Sequence, residues 1–136
     1  ISPKLAAAVC LGTTLGFFMT TPVIIALRAA SHICFALLGA VLLRKMPEII
    51  EKTLPSTMFN GGLALVHALA EVAVVSPFFL AGSIFKPEQL ADGYVMSVLI
   101  LVGVGTFIHS LIDYTVSIML WKPVRAALPS LAGLRE

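Results

Sequence analysis

Long apolar runs separated by short polar breaks organise this chain, and most of the runs have the length of a membrane crossing. A transmembrane helix needs about 20 mostly apolar residues, within a range of about 17 to 25. The first run, residues 5–19, is short by that measure. Thr20-Thr21-Pro22 breaks it, with Pro22 placed to open the next helix in its first turn. The second run covers 22–43 and stops at Arg44-Lys45; the third covers 58–80 despite Pro77. A polar loop extends from Ala81 to Asp92, and the fourth run, 93–121, ends at Trp121-Lys122-Pro123, a tryptophan at the depth where interfacial rings sit. Between the second and third runs, the stretch 47–54 mixes Glu48, Glu51 and Lys52 with Ile49, Ile50 and Leu54. That mixture predicts a short helix lying at the membrane surface. The pattern as a whole predicts an all-α integral membrane protein: one helical bundle with four spans.

Composition supports the same class. Of 136 residues, 59% are hydrophobic and 12% charged, too little charge to cover a soluble domain of this size. The net charge of +2 is spread between apolar runs and makes no basic patch for nucleic acid. Under the alternation of four spans, Lys4, Arg44, Lys45, Lys52, Lys122 and Arg125 fall on one side and Lys86 on the other. The excess of positive residues on one side predicts a multi-pass protein of the cell membrane with both ends of this chain in the cytoplasm. The opening Ile1-Ser2-Pro3-Lys4 lacks an initiator Met and enters an apolar run directly. It is expected to be the start of the C-terminal part of a longer protein. Small-xxx-small spacings at Gly12/Gly16, Ala26/Ala30, Ala36/Ala40 and Ala64/Ala68 predict close helix packing.

Three spans carry a histidine four residues from another ionisable side chain: Arg28/His32, His67/Glu71 and His109/Asp113. A spacing of four puts both members on one helix face. Titratable groups in hydrocarbon are costly unless they face a protein interior or a wet cavity, so six of them predict a polar site inside the bundle. Counting from the cytoplasmic ends of antiparallel third and fourth spans sets His67 level with Asp113, and Glu71 level with His109. The two pairs are therefore expected to meet reciprocally, while Arg28 has no acid at its own depth. Asn60 is expected to cap the third helix, and Thr106, Ser110 and the other hydroxyls to bond back to their own helices.

Three uses of such a constellation compete. It could be a polar latch fixing helix register. It could be a ligand cavity in which Arg28 recognises an anionic group and the histidines exchange hydrogen bonds with the solute. It could also be a haem-binding or proton-relay site using His32, His67 and His109. No CxxCH, GxSxG or HExxH motif is present, so no enzyme and no cofactor are expected, and no metal-binding cluster is visible. Cys10 and Cys34 lie inside apolar runs without CxxC spacing and read as small hydrophobes.

The wording of three segments adds to this. Gly12-Thr13-Thr14-Leu15-Gly16 after the Ile1-Ser2-Pro3-Lys4 opening, Leu27-Arg28-Ala29-Ala30-Ser31-His32, and His67-Ala68-Leu69-Ala70-Glu71 together resemble the substrate-binding S component of an energy-coupling factor (ECF) vitamin transporter. The resemblance covers the whole chain, as the last four of six helices. It implies uptake of a vitamin-like small solute in partnership with a transmembrane T component and ABC-type ATPases. It also implies solute contact at Arg28, His32, Glu71 and His109, with His67 and Asp113 as a supporting polar network. A niacin-type solute fits this pattern, since Arg28 suits a pyridine carboxylate.

Overall fold

The computed structural model describes residues 2–83 and 85–127, and among them there is no β-strand. Helix α1 spans Pro3–Thr20, α2 Val23–Lys45 and α3 Thr53–Leu80. The fourth span opens as a π-helical segment, Val95–Val104, and continues as α5, Gly105–Ala127; the short α4, Pro87–Ala91, precedes it. Four helical stretches, of 18, 23, 28 and 27 residues, are long and apolar enough to cross a membrane. The chain is an all-α, multi-pass membrane bundle. The side chains of Lys122 and Arg125, both counted in the charge asymmetry, lie outside the described residues.

The boundaries arise from local chemistry. Pro22 stands at the N-cap of α2, directly before its first helical residue. The basic pair Arg44-Lys45 closes the same helix, where positive charge meets the negative end of its dipole. The surface segment is shorter than its composition predicts. It is a five-residue 3₁₀ turn, Pro47–Glu51, and α3 already starts at Thr53. Pro55 then falls in the first turn of α3, where its missing N–H costs no intrahelical bond. As a result Asn60 lies inside α3 and does not cap it. It is buried, and its Nδ2 donates to the Leu111 carbonyl of α5 at 3.2 Å. The C-terminus of α3 closes with paired bonds, Ser83 N to Phe78 O and Gly82 N to Phe79 O, around Gly82 at φ 64°. Only a residue free to adopt that left-handed conformation completes such a cap cheaply.

Helix α3 is the centre of the bundle, packed against α2 on one side and against the fourth span on the other, while α1 packs on α2. The fully enclosed apolar residues are small: Ala26, Ala29 and Ala40 of α2, Ala64, Ala68 and Val75 of α3, and Val98. Burying leucines gains little where the surroundings are lipid, so helices gain by close approach and by polar contacts. Close approach is visible at Gly103, where an added Cβ would stand 3.1 Å from Val72 Cγ2. Larger apolar side chains such as Leu5, Phe18, Met58, Leu69 and Met119 point outward. Gly12 and Gly16 have no neighbour within 4 Å of where a Cβ would be, so among the described residues this GxxxG packs against nothing. The back-bonded hydroxyls expected in the spans are present at Thr13, Thr14, Thr20, Thr21, Ser31 and Thr115.

Candidate functional site

Glu71 organises the polar interior. It sits mid-way along α3 and is only 4% exposed. Its two oxygens have separate duties. Oε2 accepts from Arg28 Nε at 2.9 Å, from Arg28 Nη2 at 2.6 Å and from Thr106 Oγ1 at 2.7 Å. Oε1 faces two imidazoles, with His32 Nε2 and His67 Nε2 each 3.5 Å away. A buried carboxylate is tolerated when its charge is paired and its lone pairs are used, and both conditions hold here. Arg28 and His32, one turn apart on α2, present their side chains to the same acid. Arg28 is thus not without a counter-charge, contrary to the expectation from depth counting.

His67 is also 4% exposed. Its Nδ1 lies 3.2 Å from Ser110 Oγ. Its Nε2 is buried and has no hydrogen-bond partner, since Glu71 Oε1 stands 3.5 Å away. The His32 ring stands edge-on to it with centroids 4.5 Å apart, and Phe35 covers the His67 ring at 4.3 Å.

The reciprocal pairing expected between α3 and the fourth span is replaced by a register one turn earlier. Glu71 meets Thr106, three residues before His109, and His67 meets Ser110, three residues before Asp113. His109 and Asp113 instead pair with each other along α5, Nε2 to Oδ2 at 2.9 Å, with side chains 67% and 61% exposed. Asp113 therefore lies on the outer side of α5, not beneath Glu71, while His67 joins the central cluster itself. Thr106 and Ser110 depart from the expectation that they bond only to their own helix. Their spacing of four, matching that of His67 and Glu71, is the signal that could have marked them.

A cleft of about 320 Å³ opens over the cluster. Arg28, His32, His67, Glu71 and Thr106 form its polar side, with His109 at its margin; Phe17, Ile25, Ala29 and Leu101 supply the apolar side. That size falls at the lower end of small-molecule sites, and the mixture of few polar groups with apolar walls is typical of them. The arrangement does not suit a haem held between these histidines. His32 and His67 turn their Nε2 atoms to one carboxylate instead of facing across a porphyrin plane, and His109 Nε2 is paired with Asp113.

Over 129 residues, 94% of this chain, the sequence is 35% identical to the niacin transporter NiaX of Lactococcus lactis subsp. cremoris (strain MG1363). The chain spans about half of that relative's length, 56%. No family profile matches the chain, and no solved structure matches it. A niacin transporter as relative agrees with the vitamin uptake that the resemblance of the three sequence segments implies.

Proposed function

We propose, from the premise that this chain belongs with the S components of ECF vitamin transporters, that it forms the solute-binding part of a membrane uptake system for a pyridine carboxylate of the niacin class. The observation that carries the reading is the cleft above Glu71, in which a guanidinium and imidazoles face an apolar wall. The relative's name as a niacin transporter supports the choice of solute.

Arg28 spends Nε and Nη2 on Glu71, which leaves Nη1 to donate to a solute carboxylate. Its side chain is 34% exposed, enough to be reached from the cleft. Glu71 then acts as the fixed anchor that holds the guanidinium plane. In this reading His32, equally exposed at 34%, and the Nδ1 of His109, whose Nε2 is paired with Asp113, would exchange hydrogen bonds with the ring nitrogen. Ile25, Ala29 and Leu101 would cover the ring faces. Such a site binds and releases; it needs no bond-making chemistry. Emptying it toward the cytoplasm requires a change of shape driven by partners, here a T component and ABC-type ATPases. Both ends of the described chain lie in the cytoplasm in this reading, which the excess of positive residues on that side supports.

The test is equilibrium binding of nicotinate and of its neutral amide to the purified full-length protein, wild type and Arg28→Ala. Loss of one charge-assisted bond should weaken nicotinate by about tenfold to a hundredfold and the amide far less. Thermal unfolding of the same variant monitors the effect of leaving Glu71 short of a partner. Equal losses for both solutes remove Arg28 from the carboxylate role, and failure of the wild-type protein to bind nicotinate removes the solute.

A further inference from the structure

The buried Nε2 of His67 is the one feature of the site that solute recognition leaves unexplained. Buried polar nitrogens are nearly always paired, so an orphan in the middle of a polar cluster calls for a partner. This one points toward Glu71 Oε1, which His32 Nε2 also faces, each nitrogen 3.5 Å from the oxygen. One donor atom from each of the three residues lies within 4.8 Å of the other two. We propose that His32, His67 and Glu71 bind a divalent transition-metal ion of the zinc class, with the remaining coordination position open to the cleft.

The distances suit that ion. Tetrahedral zinc with bonds of about 2.0 to 2.2 Å sets neighbouring ligand atoms roughly 3.3 to 3.5 Å apart. Each nitrogen already stands at that spacing from Oε1, and the edge between the two nitrogens, within 4.8 Å, closes on the ion as it binds. The donor set, two imidazoles and one carboxylate, is one that zinc uses when it keeps a position free. Imidazole also selects this part of the metal series over magnesium or calcium.

The surrounding groups are arranged as a metal site requires. A ligating imidazole is normally held through its other nitrogen, and Ser110 Oγ stands at His67 Nδ1. With the Nδ1 proton on that side, the Nε2 lone pair faces the cluster. Glu71 is oriented in the same manner. Arg28 and Thr106 occupy Oε2 and leave Oε1 free as a single-oxygen ligand. Arg28 brings positive charge near the ion, but it bonds the far oxygen. The site with its ion then carries an excess of positive charge, which an anionic solute in the cleft would reduce. The open position thereby deepens the solute reading, although the metal triad stands on its own geometry.

The decisive experiment titrates Zn²⁺, and Co²⁺ as a spectroscopic probe, into chelator-treated full-length protein in detergent without any solute. The expected result is one ion per chain, with the strong visible absorption of tetrahedral Co²⁺. His67→Ala and His32→Ala should abolish it, while Asp113→Asn, an acid outside the triad, should not. Ser110→Ala, which keeps all three ligands, should weaken the metal by about tenfold to a hundredfold and guards against misfolding of the ligand variants. Absence of stoichiometric binding, or binding unchanged in both histidine variants, overturns the proposal. Nicotinate affinity is then measured with and without Zn²⁺. Tighter binding with the ion supports the open position, and unchanged affinity overturns that part. Stoichiometric metal without any nicotinate binding supports the triad and sinks the solute instead.

Discussion

Two pairs in this chain are alike in sequence and opposite in fate. His67/Glu71 and His109/Asp113 are each a histidine and an acid four residues apart on a long apolar helix. The first pair is buried at 4% exposure for both residues and gathers Arg28, His32, Thr106 and Ser110 around it. The second pair stands with side chains 67% and 61% exposed and closes on itself at 2.9 Å. Spacing decides that two side chains share a helix face. It does not decide what that face meets. The first pair lies on the central helix, flanked on both sides, so its polar atoms find their partners on neighbouring helices, His67 Nε2 excepted. The second lies on an outer helix, where the simplest partner is the residue one turn away.

The largest expected contrast comes from deleting the two acids. Glu71→Ala leaves a guanidinium and a buried imidazole uncompensated and should cost about 3 to 5 kcal/mol of stability. Asp113→Ala should cost less than about 1 kcal/mol, as exposed ion pairs do. Thermal or denaturant unfolding in the same detergent compares them, and similar costs for both would mean that burial does not set the difference.

Next in size is Thr106→Val, which keeps the shape and removes one hydrogen bond to Glu71 Oε2. Bonds to charged groups are worth more than neutral ones, so a loss of about 1 to 2 kcal/mol is expected, with weaker nicotinate binding if Arg28 loses its fixed orientation. A smaller effect, about 1 kcal/mol, is expected for Ser110→Ala, whose neutral bond to His67 is of the kind that joins membrane helices. Unfolding measurements that rank Ser110 above Thr106 would move the centre of the network from Glu71 to His67. The smallest change is expected for Gly103→Ala. Its Cβ would come 3.1 Å from Val72 Cγ2, so the fourth span must yield by a few tenths of an ångström. A slight loss of stability with nicotinate affinity retained is the expected outcome, and a large loss of affinity would show that the fourth span's register against α3 is critical for the site.

Much of this architecture is legible in the order of residues. Four spans can be read from the apolar runs; the segment 22–43 corresponds closely to α2, whereas 58–80 shares with α3 its end but not its start. The start of α3 is not legible, because Met46 to Pro55 has the mixed composition of a surface helix and two prolines that suit a helix start as well as a break. The six ionisable residues stand out as intramembrane polar groups, yet depth alone assigns them the wrong partners. A shift of three residues along α5 replaces His109 with Thr106 and Asp113 with Ser110. Helix rotation has a period too short for depth counting to resolve, and the π-helical opening of the fourth span, Val95–Val104, changes the phase of the α5 residues beyond it.

What the sequence determined alone was the class of protein and the inventory of its interior. Apolar length sets the number of spans, since hydrocarbon tolerates only segments whose backbone bonds are satisfied within themselves. A spacing of four sets which polar groups travel together. What only the tertiary structure decided was which of those groups meet. Helix α2 brings Arg28 and His32 to Glu71 through small side chains that allow close contact. The fourth span offers hydroxyls to the centre and leaves its own His109–Asp113 pair exposed, with His109 lining the cleft. Those contacts depend on rotation and register about three helix axes at once, quantities that no single helix encodes, and they make a buried carboxylate both tolerable and useful.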